Sequence, residues 1–261
     1  MLDAVIIVLR ETMEASLLVA FLFVYSNYLS LDKSWMLKST PIGLFFALLV
    51  AFWLPSISEM FDGGGQELLF ALVLFILSLS IQYANLRLIF SNVRKLRRVQ
   101  LTTLFSTILI LAISLEGAEI IIFYQSGMQN SGDIFPHLIG SALGLGIGVS
   151  IGAVIYYLVN QWQKNGLIIC WLTLTFVSAG MISQAISYLM QADFIDSGYP
   201  IWDTSFIVDE RSIFGQLLYA LIGYEATPTL TQEILYLGYI FISVFFAIYY
   251  RKKSSVREDI Q

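Results

Sequence analysis

The chain has 261 residues, 57% of them hydrophobic and only 13% charged, with a mean hydropathy of +0.77, values that exclude a water-soluble domain as the main architecture. Its formal net charge of −5 says less than the placement of its charges, because loop charge rather than the sum orients a membrane protein. One cysteine, Cys170, and one histidine, His137, exclude a disulfide framework and any zinc, haem or iron–sulfur centre built on several such ligands, so oxygen donors must carry the chemistry.

Apolar runs long enough to cross a hydrocarbon core of about 30 Å lie near residues 4–27, 40–57, 67–90, 101–124, 137–160, 166–191 and 232–250. The first could be mistaken for a signal peptide, but it lacks a basic start and carries Arg10, Glu11 and Glu14 inside the apolar run, so it reads as a retained helix. Pro41 and Pro136 are expected to open spans, Pro55 to close one, and Gly63, Gly64 and Gly65 to form a flexible turn before the third. In the fifth span Gly140, Gly144, Gly148 and Gly152 recur every four residues, a ladder that lets another helix approach closely. The connection 192–231 is too long for a simple turn. Its stretch Ser212 to Tyr224, with Ile213, Phe214, Leu217, Leu218 and Leu221, predicts an amphipathic or half-inserted helix. His137, beside Pro136, reads as a cap-region residue rather than a ligand.

Loop charge sets the expected orientation. One set of alternate connections holds Lys33, Lys38, Arg87, Arg94, Lys95, Arg97, Arg98, Lys164, Arg251, Lys252, Lys253 and Arg257, whereas the opposite set holds only Arg211 and is acidic, with Glu59, Asp62, Asp133, Asp193, Asp196, Asp203, Asp209 and Glu210. Positive loops stay cytoplasmic, which places the amino terminus outside, the carboxyl terminus in the cytoplasm, and 192–231 on the extracytoplasmic face of the inner or plasma membrane. The cluster Arg94 to Arg98 is explained by topology and anionic lipid; nucleic-acid binding would need a basic soluble face, which the sequence does not offer.

Two E-x-x-E elements carry the chemistry: Glu11 and Glu14 in the first span, Glu116 and Glu119 in the fourth. A three-residue step puts each pair on one helix face, with Cβ atoms roughly 5–6 Å apart. At about 1.5 Å per residue, the first pair sits roughly 10–16 Å and the second roughly 8–12 Å below the outer helix ends, so the four carboxylates can meet at one level. Four mid-span acids represent a burden of roughly 10 kcal/mol on the insertion scale, which calls for a compensating cation. Arg10 could balance one carboxylate, leaving three negative charges that suit a divalent or trivalent metal held by hard oxygens. A lone intramembrane Glu is often just protonated or hydrogen-bonded to a neighbour. Repetition at matching depth is what distinguishes this pattern. No E-x-x-H or paired His marks a redox enzyme, so the reading is not an enzyme. The motif recurs 105 residues apart in spans of opposite direction, which predicts a 3+3 inverted repeat plus one C-terminal helix, all in a single membrane domain, residues 1–261.

With these residues in place, the sequence resembles the oxidase-dependent iron permeases. Leu9-Arg10-Glu11-Thr12-Met13-Glu14-Ala15 is similar to the family's R-E-G-L-E-A element, and Glu116-Gly117-Ala118-Glu119 to its second copy; Trp202-Asp203-Thr204-Ser205 and Gly223-Tyr224, followed by Pro228, Thr229 and Gln232, are similar to the segment before the last helix. Leu115 stands where the second motif usually has Arg, and Thr12 where the first has Gly, so charge balance and local packing differ. The resemblance implies uptake of iron, as the ferric ion, received from a separate ferroxidase or periplasmic iron-handling partner. It also implies metal ligation by Glu11, Glu14, Glu116 and Glu119, with no prosthetic group. The outer acidic loops, through Asp133, Asp196 and Asp203, are expected to gather the cation. Two alternatives stand beside it: a permease for another cation such as lead or manganese, and a non-transporting membrane subunit or sensor whose glutamates lock helices together.

Overall fold

The computed structural model describes residues 2–90, 98–130, 135–162 and 166–258. Among them are eight α-helices: α1 (Leu2–Tyr28), α2 (Ser34–Ser58), α3 (Gly65–Phe90), α4 (Arg98–Asn130), α5 (Phe135–Gln161), α6 (Gly166–Gln191), α7 (Ile213–Ile222) and α8 (Leu230–Glu258). Arg94, Lys95, Arg97, Asp133 and Lys164 lie outside the described residues.

Six of these helices, α2 to α6 and α8, are long and apolar enough to cross a membrane, with mean hydropathies of 1.6 to 2.1. Helix α1 has the length, 27 residues or about 40 Å, but Arg10, Glu11 and Glu14 interrupt its apolar run. The sixth span matches its expected bounds to the residue, and Pro136 sits at the second position of α5, where its missing N–H costs nothing. Pro41 and Pro55 behave otherwise than expected, since both lie inside α2, which starts earlier at Ser34 and ends later at Ser58. Just before Pro41, Ser39 Oγ and Thr40 Oγ1 donate back to the Trp35 and Met36 carbonyls at 2.7 and 2.9 Å, which satisfies both hydroxyls within their own helix. The glycines before α3 form an ordered turn, with a 3-10 segment at Phe61–Gly63 and φ of +100° at Gly63, a value that glycine adopts without strain.

The predicted loop helix exists as α7. Ser212 caps its start by accepting from the Gly215 N–H at 3.0 Å, and Gly223, at φ +66°, ends it in the left-handed conformation. Gly215, Gln216 and Ala220 face inward, whereas Ile213 and Phe214 are exposed, so α7 is a short helix lying against the bundle by one side.

The most extensive packing joins α1 to α5, α2 to α4 and α3 to α6. The α5 glycines make the first seam possible: a Cβ on Gly144 would stand 2.7 Å from the Val5 carbonyl oxygen, and one on Gly148 2.9 Å from Thr12 Cβ. The α2–α4 seam repeats this arrangement with other residues. A Cβ on Gly43 would stand 2.8 Å from Ile113 Cβ and 3.3 Å from the Ile110 carbonyl oxygen, and one on Gly117 2.9 Å from Ala47 Cβ. Between these seams lies an apolar core that includes the fully buried Phe21, Phe70, Leu74 and Phe105. The outer surface carries Phe45, Phe52, Trp53, Leu79, Phe241 and Phe245 exposed, a wide apolar exterior suited to lipid.

Candidate metal site

Both E-x-x-E elements point into the bundle. Glu11, Glu14 and Glu116 are no more than 7% exposed and Glu119 is half-buried, so four carboxyl groups from α1 and α4 share the interior. Glu11 and Glu116 lie within hydrogen-bonding reach of each other, and Glu116 interacts electrostatically with Glu14 and Glu119 as well. Apart from that contact Glu11 Oε2 is buried with no donor.

Arg10 supplies the positive charge. Its Nε stands 3.3 Å from Glu14 Oε1 and 4.0 Å from Glu11 Oε1, and its guanidinium covers the Tyr219 ring at 4.7 Å from the centroid. The pairing with Glu14 is the i,i+4 contact expected of a helix face. Tyr188 of α6 donates to Glu119 Oε1 at 2.8 Å and stacks edge-on against Phe70, which fixes the fourth carboxylate from the α6 side. Among the described residues no three His, Cys, Asp or Glu side chains stand close enough to grip one ion, so the carboxylates surround a region rather than close on a point. Glu14 also borders a small cavity lined by Val177, Gly180, Met181, Gln184, Tyr219 and Ala220, which separates it from α6 and α7.

The structure thus brings Glu11, Glu14, Glu116, Glu119 and Arg10 together and leaves Asp196 and Asp203 apart from them. Asp196 and Asp203 are exposed on the connection between α6 and α7. Asp203 Oδ1 is engaged in a local turn, accepting from Ser205 N and Oγ at 2.9 and 2.6 Å, which holds its carboxyl below the usual range. Leu115, in place of the second arginine, is buried beside an apolar cavity of about 260 Å³ lined also by Phe46, Phe70 and Leu111.

Sequence reasoning missed Tyr188, Tyr219 and Glu225. The polar run Ser183, Gln184, Ser187 and Tyr188 inside the sixth span was the available signal for the first. Glu225 sits in the loop after α7, where it accepts from Gln232 Nε2 at 2.9 Å and Ser183 Oγ at 3.3 Å. Burial outweighs these donors and raises its carboxyl above the usual range. Gln232 also closes a capping box at the start of α8: its Oε1 accepts from Thr229 N at 2.8 Å, and Thr229 Oγ1 accepts from Gln232 N at 3.4 Å.

Fold and site define a multi-pass helical membrane protein with a buried, arginine-balanced carboxylate cluster. The chain belongs to the Iron permease FTR1 family, whose model matches residues 1–256. It is 29% identical over 133 residues to the Ferrous iron permease EfeU of Shigella flexneri, an alignment covering 49% of this chain and 55% of that protein. The same identity over the same length relates it to the proteins of that name from Shigella sonnei (strain Ss046) and Escherichia coli O157:H7, with 47% of each covered. The chain spans about half the length of the curated relatives it matches. No solved structure matches it.

Proposed function

We propose that this chain carries iron across the cell membrane through a site formed by Glu11, Glu14, Glu116 and Glu119, with Arg10 as the charge that balances the empty site. The observation that carries the reading is the convergence of four carboxyls from two helices, with one guanidinium beside them, inside the helix bundle. A cluster so placed is expensive in hydrocarbon and is repaid by binding a cation. Family membership and the ferrous iron permeases among its relatives favour iron over lead or manganese as that cation.

Charge balance links the oxidation state to the number of protons the cluster holds. Four ionised carboxylates against Arg10 leave three negative charges, which suit Fe(III). With one carboxyl protonated they leave two, which suit Fe(II). Ferric iron would therefore be matched by the fully ionised cluster. In this reading a separate ferroxidase or periplasmic iron-handling protein supplies the ion, and Asp196 and Asp203 gather it at the outer surface. Radioactive iron uptake into proteoliposomes, with ascorbate to hold Fe(II) or citrate to hold Fe(III), tests both the substrate and its charge.

In the same reading α1 is the seventh span, the amino terminus is outside, the carboxyl terminus is cytoplasmic, and α1–α3 and α4–α6 are inverted repeats with α8 added. The matched seams support the repeat: Gly43 meets Ile110 and Ile113 as Gly144 meets Val5 and Val8, and Ile110 and Ile113 follow Val5 and Val8 by the same 105 positions that separate Glu11 from Glu116, while the two glycines differ by 101. Exchanging α1 with α4 and α2 with α5 converts one seam into the other. A reporter active only in the cytoplasm, fused after Gln261, tests the orientation. Activity supports it, and access to the same tag from outside contradicts it.

A further inference from the structure

A second polar group lies away from the carboxylates, on the seam between α3 and α6. Ser78, Gln82 and Asn85 fall on one face of α3 by their four- and three-residue steps, and all three are buried. The two ends of this row are satisfied. Ser78 Oγ donates to the Ser178 carbonyl at 2.7 Å, and Tyr239 Oη donates to the Ser78 carbonyl at 3.0 Å. Asn85 Oδ1 accepts from Tyr25 Oη at 2.7 Å, while its Nδ2 donates to the Trp171 carbonyl at 3.1 Å and to Thr175 Oγ1 at 3.2 Å.

The middle is not satisfied. Both amide atoms of Gln82 are buried with no partner, and so is Trp171 Nε1. An unmet polar group of this kind costs about 1–3 kcal/mol, and interiors that keep one commonly house water there. Such a residue is a poor choice for packing helices in an apolar bundle. It is a good choice for lining a wet passage, because an amide oxygen is a hard ligand that can replace part of a cation's water shell.

Position agrees with chemistry. Helices α3 and α6 run antiparallel, so that Phe70 meets Tyr188 at the carboxylate level, Ser78 meets Ser178 deeper, and Asn85 meets Thr175 deeper still. From residue 78 to residue 85 the row covers about 10 Å, directed away from the end that carries α7. The cavity beside Glu14 is lined by Val177, so it lies at the level of α6 where the row begins at Ser178.

We propose that Ser78, Gln82 and Asn85 line the hydrated route by which the ion leaves the glutamates for the cytoplasm, with Gln82 Oε1 as a transient ligand. The inference rests on the permease reading for the identity of the ion, not for the presence of water.

Thiol accessibility tests it. Cys170 is the chain's sole cysteine, so Cys170→Ala gives a background in which Gln82→Cys and the buried control Leu77→Cys can be compared. A charged methanethiosulfonate applied to inside-out vesicles should modify Gln82→Cys and not Leu77→Cys. In proteoliposomes Gln82→Leu should lose most iron uptake, and Gln82→Asn should recover part of it. An unreactive Gln82→Cys, or parental uptake by Gln82→Leu, overturns the proposal. Labelling needs no iron, so reactive Gln82→Cys in a protein that takes up no iron would contradict the permease reading and not the wet row.

Discussion

The Arg10 guanidinium is held between the Glu14 carboxylate, 3.3 Å away, and the face of Tyr219, 4.7 Å from the ring centroid, so one side chain ties the carboxylate cluster to the short helix α7. Charge and planarity are both used, and lysine would supply only the first. Arg10→Gln should insert less well and lose most uptake, while Arg10→Lys should keep insertion and recover uptake only in part. Adding Leu115→Arg to Arg10→Gln should restore some of both, since a cavity of about 260 Å³ adjoins Leu115. Membrane-fraction yield and iron uptake of the three variants, beside the parent, check this. Equal behaviour of Arg10→Gln and the parent would show that Arg10 does not balance the cluster.

Tyr188 should matter through its hydroxyl. Tyr188→Phe keeps the ring against Phe70 and removes the 2.8 Å bond to Glu119. A hydrogen bond to a charged group is worth about 1.5–3 kcal/mol, so metal binding or uptake should weaken by about tenfold, less than for Glu119→Gln. Titration of the detergent-solubilised protein with iron measures it; unchanged affinity would separate Tyr188 from the site.

The helix seams predict a contrast between neighbouring glycines. A Cβ on Gly148 would meet Thr12 at 2.9 Å, whereas one on Gly146 meets nothing within 4 Å. Gly148→Ala should therefore lower stability by about 1–3 kcal/mol, as overpacking does, and Gly146→Ala should leave it unchanged or raise it. Thermal unfolding in one detergent distinguishes them. Equal melting temperatures would show that α1 yields without cost.

Glu225 predicts a pH dependence. Its folded carboxyl is raised by burial, so its contribution to stability is present below the ordinary glutamate range and is lost as pH rises through the raised value. Glu225→Gln keeps an acceptor near Gln232 and removes the titration. The parent should lose stability relative to Glu225→Gln across that rise, and a constant difference between their melting temperatures over the same pH range would contradict the assignment.

Hydropathy made the spans legible, and helical spacing made the carboxylate faces legible, because both signals are local. The fourth span ran beyond its expected end because α4 continues through the polar stretch Gln125 to Asn130, where hydropathy falls but backbone hydrogen bonding does not. The α5 ladder was visible because it uses glycine alone. Its counterpart in α2, the buried Ser39, Gly43, Ala47 and Ala51, uses three residue types at the same spacing and was overlooked. Thr12, a departure from the motif in sequence, is accommodated by Gly148, while Gly117 in the other motif is met by Ala47. Tyr188 and Tyr219 were hidden because their partners lie far away in sequence, and no local pattern reports a contact between α6 and α4 or between α7 and α1.

Iron uptake by proteoliposomes containing Glu11→Gln, Glu14→Gln, Glu116→Gln and Glu119→Gln, one at a time, tests the central claim most directly. Each amide keeps the shape of the carboxyl and removes its charge, so each variant should insert normally and lose uptake by about tenfold or more, consistent with about 1.5–3 kcal/mol for a contact to a charged group. The exposed control Asp62→Asn should transport as the parent does. Parental uptake by three or more of the four glutamine variants would contradict the account.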